Sequence, residues 1–183
     1  MYRLIDFVTA FLGLILVFPI FIVVYVIGLF DTGSPLFFQE RVGMYKKPFT
    51  LVKFRTMSVE TNSVASHLAS SSSITKLGAF LRKTKLDELP QLWNVFTGDM
   101  SLVGPRPNLF NQEELIEARD AKNVYSVRPG ITGLAQIQNI DMSTPDKLAR
   151  TDAIMINKMS LKSYFSYIIK TVTGAGAGDA VKR

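Results

Sequence analysis

The chain has 183 residues and a formal net charge of +6, from 21 Lys and Arg against 15 Asp and Glu, and yet its mean hydropathy is +0.21. One long uncharged segment explains this combination, which excludes both a polytopic transporter and an ordinary cytosolic enzyme. The lack of Cys and the single His, His67, exclude structural zinc sites, iron–sulfur clusters, disulfide bonds and cysteine catalysis. Any bound metal is expected to be a hard, oxygen-ligated cation such as Mg²⁺.

The uncharged segment runs from Phe7 to Phe30 and is long enough, as a helix, to cross a bilayer. It is longer than the apolar core of a signal peptide, and no small-residue cleavage site follows it, so we expect it to be retained. Pro19 lies near its middle and removes a backbone hydrogen bond, which predicts a kink. Two topologies follow: a kinked span, or a re-entrant hairpin that enters and leaves by the same face.

The positive charge lies beyond this segment, since every Lys and Arg except Arg3 follows it. This asymmetry favours a cytoplasmic location for the following domain on either topology. A basic domain is also expected to lie well against anionic membrane lipid. Nucleic acid is the competing partner for a pI near 9.6, but no nucleic-acid-binding motif is present, so we do not expect it.

The first elements after the membrane segment are predicted to be extended. Polar and apolar residues alternate between Gly33 and Thr56 around turn signals, which predicts two short strands. Ser58 to Ser73 is polar and low in complexity, which predicts a mobile loop. Ile74 to Leu89 is close to a helical period and carries a basic face, so it predicts a helix that lies either on the membrane surface or on the protein core.

Three further helices are predicted in the second half of the chain. The first covers Gln112 to Asn123. The second runs from about Thr144, as N-cap before a proline, to Lys158. The third, Leu161 to Val172, mixes aromatic residues with Lys and suits a membrane-interface helix as well as a core helix. A Gly-Ala repeat from Gly174 to Gly178 predicts a flexible end.

The pair Asp87 and Glu88 is the most informative local feature. These adjacent carboxylates end the predicted basic helix shortly before Pro90, where backbone hydrogen bonding is interrupted. Adjacent acids repel each other, so nearby cations are needed to keep both ionised; Arg82, its neighbouring Lys residues or a divalent cation would serve. The alternative from the local pattern is a pair of exposed helix charges paired with those Lys residues.

Four separated motifs decide between these interpretations. They occur in one order behind the apolar segment: Lys53-Phe54-Arg55-Thr56-Met57, Leu86 to Asn94, Gly98 to Pro107, and Arg128 to Gly133. Together they resemble the bacterial sugar transferase family, the small monotopic phosphoglycosyl transferases that begin glycoconjugate assembly on undecaprenyl phosphate. The resemblance covers the chain from its start to about residue 135.

The resemblance implies an α/β, mainly helical fold. It implies a re-entrant membrane helix over residues 1–31, broken at Pro19, and a catalytic domain that we assign to residues 32–173. The Gly-Ala repeat assigns residues 174–183 to a flexible tail. Amphipathic interfacial helices and a small β element would surround the active site. The protein would then lie at the cytoplasmic face of the bacterial inner membrane.

The resemblance also implies a reaction and its residues. Asp87 would be the nucleophile that attacks the sugar-bearing phosphorus of a UDP-sugar, releasing UMP before undecaprenyl phosphate attacks the aspartyl intermediate. Asp87 and Glu88 would hold Mg²⁺. The cations expected at the phosphates and the uridine are Lys53, Arg55, Arg82, Arg106 and Arg128.

The chain departs from the family pattern after Gly133. Family members often continue with Trp-Ala-Gln and an Asn-Gly-Arg-Asn run, whereas the stretch from Leu134 to Asp141 lacks that Arg. This difference indicates that another sugar is handled. Gln138 and Asn139 are candidates for hydrogen bonds to a hydroxyl, amino or acetamido group of that sugar.

Two other hypotheses stay open from the sequence. One is a non-catalytic membrane-anchored module that binds anionic lipid or acts as a scaffold. The other keeps the enzyme but lets undecaprenyl phosphate attack directly in a ternary complex. Composition also leaves the sugar open, as well as a homodimer, because an apolar face that meets lipid resembles one that meets another subunit.

Overall fold

The computed structural model describes residues 2–59 and 73–175. The loop predicted over Ser58 to Ser73, with His67, and the predicted flexible tail therefore lie mostly outside the described residues. The elements, in chain order, are α1 (Tyr2–Asp31), β1 (Leu36–Val42), β2 (Pro48–Phe54), α2 (Lys76–Thr84), α3 (Gln91–Thr97), β3 (Ser101–Val103), α4 (Glu113–Asp120), β4 (Gly130–Thr132), α5 (Leu134–Ile137), α6 (Pro145–Asn157) and α7 (Leu161–Val172).

The predicted mainly helical α/β class is confirmed, and the described residues form two compact units. The first unit takes the chain up to Gln39 together with Thr50–Gly98. The second takes Glu40–Phe49 and the described residues from Asp99 onward. Strands β1 and β2 pair as a two-stranded sheet, so the two extended pieces predicted between Gly33 and Thr56 are confirmed.

Helix α1 is one continuous helix of 30 residues and is long and apolar enough to cross a membrane. Most of its apolar side chains are exposed; Leu16, for example, is 79% exposed. Pro19 lies inside this helix, which continues on both sides of it. The predicted break at Pro19 therefore does not divide the segment into two helices. A proline removes one hydrogen bond, and the flanking residues here keep helical geometry. The re-entrant course stays a prediction.

The core of the first unit is an apolar cluster that joins α1, β2 and α2. Val24, Phe54 and Leu81 are buried in it. The partly buried residues packed against them are Phe21, Leu36, Leu77 and Leu86. Burial of a side chain of this size stabilises a fold by about 1.5–3 kcal/mol, so the cluster holds these elements together. The core interpretation of α2 is therefore confirmed for Leu81.

Helix α2 is shorter than the helix predicted over Ile74 to Leu89. It begins after Thr75, whose side-chain oxygen accepts a hydrogen bond from the Gly78 nitrogen at 2.9 Å. It ends at Thr84, because Lys85 adopts a left-handed conformation with a φ of 58°. The chain then continues as a 3₁₀ turn over Leu86–Glu88. The two predicted acids thus lie in a separate turn and not at the end of α2.

Helix α3 was not predicted, because Pro90 was interpreted as a helix breaker. Pro90 instead occupies the N-cap position, where the missing proline N–H leaves no hydrogen bond unmade. Gly98 ends the helix in a left-handed conformation with a φ of 100°. Proline at the start and glycine at the end therefore define this short helix directly after the acid pair.

Gly78 fixes how closely α2 approaches Thr56, in the segment that follows β2. A Cβ on this residue would lie 2.0 Å from the Thr56 carbonyl oxygen, a backbone atom that cannot move aside alone. We expect Gly78→Ala to lower the free energy of unfolding by about 1–3 kcal/mol through overpacking. Gly13→Ala is the matched control, since its Cβ would meet only the flexible end of Leu92, at 3.3 Å. Urea denaturation measures both; equal stability of the two variants would contradict this packing.

The second unit contains the predicted helices α4, α6 and α7 and a parallel strand pair that was not predicted. In this pair Ser101 lies opposite Gly130, and Val103 lies opposite Thr132. A Cβ on Gly130 would lie 2.0 Å from the backbone nitrogen of Gly104, so only glycine permits this approach. The two Pro/Gly-rich motifs are thereby brought side by side.

Candidate active site

The acid pair lies in the first unit, in the 3₁₀ turn between α2 and α3. Asp87 is 5% exposed, whereas Glu88 is partly exposed. The hypothesis that both are exposed helix charges is therefore wrong for Asp87. Leu86 packs into the apolar cluster described above, so the residue before Asp87 is anchored in the core. Burying a carboxylate is unfavourable, and such groups are concentrated at functional sites.

Arg82 lies on α2, one turn before the acid pair. Its Nε donates a hydrogen bond to the Thr56 hydroxyl at 2.9 Å. Thr56 is itself buried, and its carbonyl oxygen accepts from the Thr75 nitrogen at 3.1 Å. Thr56, which follows β2, thus forms hydrogen bonds with both the guanidinium of Arg82 and the residue that precedes α2.

Lys53 and Arg55 lie two residues apart, on or just after β2, and share an aromatic surface. The Lys53 ammonium lies 5.4 Å and the Arg55 guanidinium 5.3 Å from the centre of the Phe37 ring. Arg55 also donates to two backbone carbonyls, those of Ser34 at 2.8 Å and Leu36 at 3.3 Å. Arg55 therefore holds the connection between α1 and β1, and its predicted contact with substrate stays a prediction.

Arg106 and Arg128 lie in the second unit, on segments that contact each other. The Gly130 nitrogen donates to the Pro105 carbonyl at 2.9 Å, which folds the Pro-Arg-Pro loop back over the residues before β4. Both Arg side chains are partly exposed. The structure thus brings the loops of these two predicted residues together.

Arg41 was missed by sequence reasoning and holds the same loop. Its Nη1 donates to the Pro107 carbonyl at 3.1 Å. Burial, together with the positive charge of Arg106, lowers the pKa of Arg41 from its ordinary value to about 10. Arg41 and Arg106 are therefore close enough for their charges to interact.

A buried polar network lies behind the Pro-Arg-Pro loop and was also missed. Arg119 on α4 and Asp152 on α6 form an ion pair of 2.7 Å, with each side chain 1% exposed. Burial raises the pKa of Asp152, and Arg119 only partly opposes this shift. Arg119 Nη1 also donates to the Arg106 carbonyl at 2.9 Å and to Asn108 Oδ1 at 2.8 Å.

Asn108 is the second member of this network. It is completely buried, and its Oδ1 accepts a further hydrogen bond from the Tyr125 hydroxyl at 3.0 Å. Burial raises the pKa of Tyr125, so its hydroxyl stays a donor at neutral pH. One signal in the sequence could have revealed this network. Arg119 and Asp152 each follow a buried Leu by four residues, Leu115 and Leu148, so each lies on the apolar face of its helix.

Gln138 and Asn139 directly follow α5 in the second unit. Both side chains are exposed, and Asn139 has a left-handed φ of 54° that closes the helix. The Asn139 nitrogen donates to the Gln136 carbonyl at 3.1 Å. A contact of either side chain with a sugar stays a prediction.

The acid pair consists of oxygen ligands of the kind that Mg²⁺ prefers. Within residues 2–59 and 73–175, no three Asp, Glu or His side chains are grouped as a metal site. Mg²⁺ is usually bound by one or two carboxylates, with water and substrate phosphates in the remaining positions. Two adjacent carboxylates on a fixed turn fit that pattern, so Asp87 and Glu88 would be its protein ligands.

Comparison with known proteins identifies the family. The family model described as bacterial sugar transferase matches residues 1–177. The chain belongs to the bacterial sugar transferase family. The resemblance that the four motifs predicted is therefore confirmed, and it extends beyond residue 135.

Individual relatives carry related names. The chain is 44% identical over 129 residues to the uncharacterized sugar transferase EpsL of Bacillus subtilis, covering 70% of this chain and 63% of the relative. It is 43% identical over 142 residues to a UDP-glucose:undecaprenyl-phosphate glucose-1-phosphate transferase of Klebsiella pneumoniae, covering 74% and 30%. A UDP-galactose-lipid carrier transferase of Erwinia amylovora is 33% identical over 187 residues, covering 93% and 39%. This sugar transferase thus spans less than two thirds of each of these relatives.

Proposed function

We propose that this sugar transferase moves a sugar 1-phosphate from a UDP-sugar to undecaprenyl phosphate. The products are undecaprenyl-diphosphate-sugar and UMP, as in the first membrane step of making a glycoconjugate. The observation that carries the proposal is the buried Asp87, held beside Glu88 on an anchored turn in a member of this family. The names of the Klebsiella and Erwinia relatives support the same reaction class.

The proposed reaction has two displacements at one phosphorus atom. A carboxylate oxygen of Asp87 attacks the sugar-bearing phosphorus, the bond to the bridging oxygen breaks, and UMP leaves with the electron pair. A phosphate oxygen of undecaprenyl phosphate then attacks the same phosphorus and releases the Asp87 carboxylate. Two steps allow one site to serve a water-soluble donor and a membrane-bound acceptor in turn.

The charge that develops on the leaving phosphate has to be neutralised. Mg²⁺ bound by Asp87 and Glu88 would supply this as a Lewis acid. Arg82 and Arg106 would bind phosphate oxygens through their planar donors, and Lys53 would add a point charge. Arg55, Arg128, Gln138 and Asn139 are proposed contacts of the uridine and the sugar.

Turnover of a panel of UDP-sugars tests this function. Purified protein is incubated with each UDP-sugar, undecaprenyl phosphate and Mg²⁺, and UMP is measured. We expect at least one UDP-sugar to give UMP in an amount that matches the undecaprenyl phosphate supplied. Without that lipid, UMP should not exceed about one molecule per protein, because the first displacement occurs once and then stops. EDTA should abolish turnover. The lipid-binding module predicts instead salt-sensitive binding to anionic vesicles and no UMP from any UDP-sugar.

The contacts of α1 support a re-entrant course at the cytoplasmic face. Near its start, the Arg3 guanidinium donates to the Phe96 carbonyl of α3 at 2.7 Å and also to the Val95 carbonyl. Near its end, Val24 packs in the cluster with Phe54. The first turn and the second half of α1 therefore both contact the other elements of the unit that holds Asp87. A helix that crossed the bilayer would carry its first turn away from that unit.

Labelling of single cysteines tests this topology, because the chain has no Cys of its own. We expect Tyr2→Cys and Ala121→Cys to react with a membrane-impermeant maleimide in inverted membrane vesicles and to be protected in spheroplasts. Leu16→Cys, in the middle of α1, is the control and is expected to stay unlabelled in both. Labelling of Tyr2→Cys from the opposite side to Ala121→Cys would establish a span that crosses the membrane.

Helix α7 supports contact of the second unit with lipid. Tyr164 is 1% exposed and packs in the protein, which confirms a core face. Four exposed apolar residues lie along another side of the helix: Leu161, Phe165, Ile169 and Val172. Such a stripe suits the boundary between acyl chains and head groups, and the exposed Lys162 and Lys170 would reach anionic lipid. A homodimer stays a prediction.

A further inference from the structure

The Pro-Arg-Pro loop has no regular secondary structure, and yet its backbone is held at successive carbonyls. The Arg106 carbonyl accepts from Arg119 at 2.9 Å, and the Pro107 carbonyl accepts from Arg41 at 3.1 Å. The Asn108 carbonyl accepts from the Val42 nitrogen at 2.9 Å. A loop fixed in this way presents its side chains at defined positions.

The contact of Arg119 with the loop requires a fixed orientation of its guanidinium. Its Nε and Nη2 both donate to Asp152 Oδ2, at 3.0 and 2.7 Å, which fixes the plane of the guanidinium. Its remaining nitrogen, Nη1, is thereby aimed at the Arg106 carbonyl and at Asn108 Oδ1. A lysine in this place could not make the same fork, because its ammonium is a single point charge.

A contribution to stability does not by itself explain why the buried pair of Arg119 and Asp152 is present. Two charges that are each 1% exposed have lost their hydration, and an apolar pair of similar volume is often at least as stable. The carbonyl that accepts from Arg119 belongs to Arg106, whose side chain is proposed above to bind phosphate. The hydrogen bond from Arg119 therefore fixes the position of the Arg106 backbone, from which that side chain extends.

We propose that Arg119, oriented by Asp152, is a positioning residue that sets the place of the Arg106 guanidinium for the donor phosphates. The proposal rests on the proposed function, in which Arg106 binds those phosphates. The Arg119 side chain is buried and would act on Arg106 only through the Arg106 backbone carbonyl. Small displacements of a positioned group, of about 1 Å, lower rates by as much as about a hundredfold.

A double-mutant cycle with Arg106 tests the proposal. Arg119→Met combined with Asp152→Leu removes both charges and the hydrogen bond to Arg106, and it fills a similar volume with apolar side chains. Arg119→Lys is the second variant, because it keeps the charge opposite Asp152 and loses the fork. We expect each to fold and to lower kcat/KM for the UDP-sugar about ten- to a hundredfold. Lys46→Ala, which breaks the exposed ion pair with Asp120, is the control without effect.

Each variant is then combined with Arg106→Ala. If Arg119 acts through Arg106, the combination loses no more than Arg106→Ala alone, to within about twofold. If the two act independently, the separate losses multiply, and the proposal is overturned. Unchanged kcat/KM in either folded Arg119 variant would also overturn it.

Binding of UMP, measured by calorimetry, separates this proposal from the proposed function. We expect the wild-type protein to bind UMP and both Arg119 variants to bind it about tenfold or more weakly. A wild-type protein that turns over UDP-sugar, with variants that bind UMP equally well, overturns only the positioning role. A wild-type protein that neither binds UMP nor turns over any UDP-sugar overturns both.

Discussion

Replacing Asp87 by asparagine is expected to abolish UMP release and to leave membrane association unchanged. Asparagine keeps the size of the side chain, and it has no carboxylate to attack phosphorus. Loss of the nucleophile in covalent enzymes lowers kcat by about 10⁴-fold or more. UMP release with the preferred UDP-sugar, together with flotation of the protein with vesicles, measures both effects.

Asp31→Asn is the matched control for this experiment. Asp31 is another carboxylate of the first unit, exposed and bound to the Thr75 hydroxyl at 2.7 Å. We expect its variant to keep turnover within a few fold of the wild-type protein. Retained UMP release by Asp87→Asn would exclude Asp87 as the nucleophile, while the family assignment would stand.

Arg119→Met alone is expected to lower the free energy of unfolding by about 3–5 kcal/mol. The change leaves the Asp152 carboxylate buried without its charge partner. Adding Asp152→Leu should restore most of the loss, because burial of that carboxylate is already unfavourable in the wild-type protein. Urea denaturation in detergent at neutral pH measures the three proteins.

The pH dependence gives this stability prediction a second readout. Since the pKa of Asp152 is raised in the folded protein, the folded state binds its proton more readily than the unfolded state. The loss in Arg119→Met should therefore shrink as the pH falls through the raised pKa toward the ordinary value of 3.8. Lys46→Ala, at an exposed ion pair, should cost at most about 1 kcal/mol. Equal stability of Arg119→Met and Lys46→Ala would contradict the account.

The sequence predicted those helices and strands that are determined by neighbouring residues, such as turn residues, helix caps and hydrophobic periodicity. The strand pair β1 and β2 follows from alternation and turn residues, and α7 has the predicted bounds Leu161–Val172. Helix α6 begins where Thr144 and Pro145 predict it. The acid pair was found through its motif. Its burial depends on Leu86 and the apolar cluster, which are contacts between distant parts of the chain.

The features that were missed depend on tertiary structure. Strands β3 and β4 have three residues each and are paired because Gly104 and Gly130 allow their backbones to touch. So short a strand carries little periodicity of its own. Arg119 and Asp152 share a helix face with Leu115 and Leu148, but their pairing depends on the packing of α4 against α6, which are distant in the sequence.

Exchange of labelled UMP into UDP-sugar tests the central claim, an aspartyl intermediate on Asp87, most directly. The wild-type protein is incubated with UDP-sugar, labelled UMP and Mg²⁺ in the absence of undecaprenyl phosphate. We expect label to appear in the UDP-sugar with the wild-type protein and not with Asp87→Asn, because the first displacement is reversible without the lipid acceptor. Turnover with undecaprenyl phosphate but no exchange in its absence would contradict the account and establish direct attack in a ternary complex.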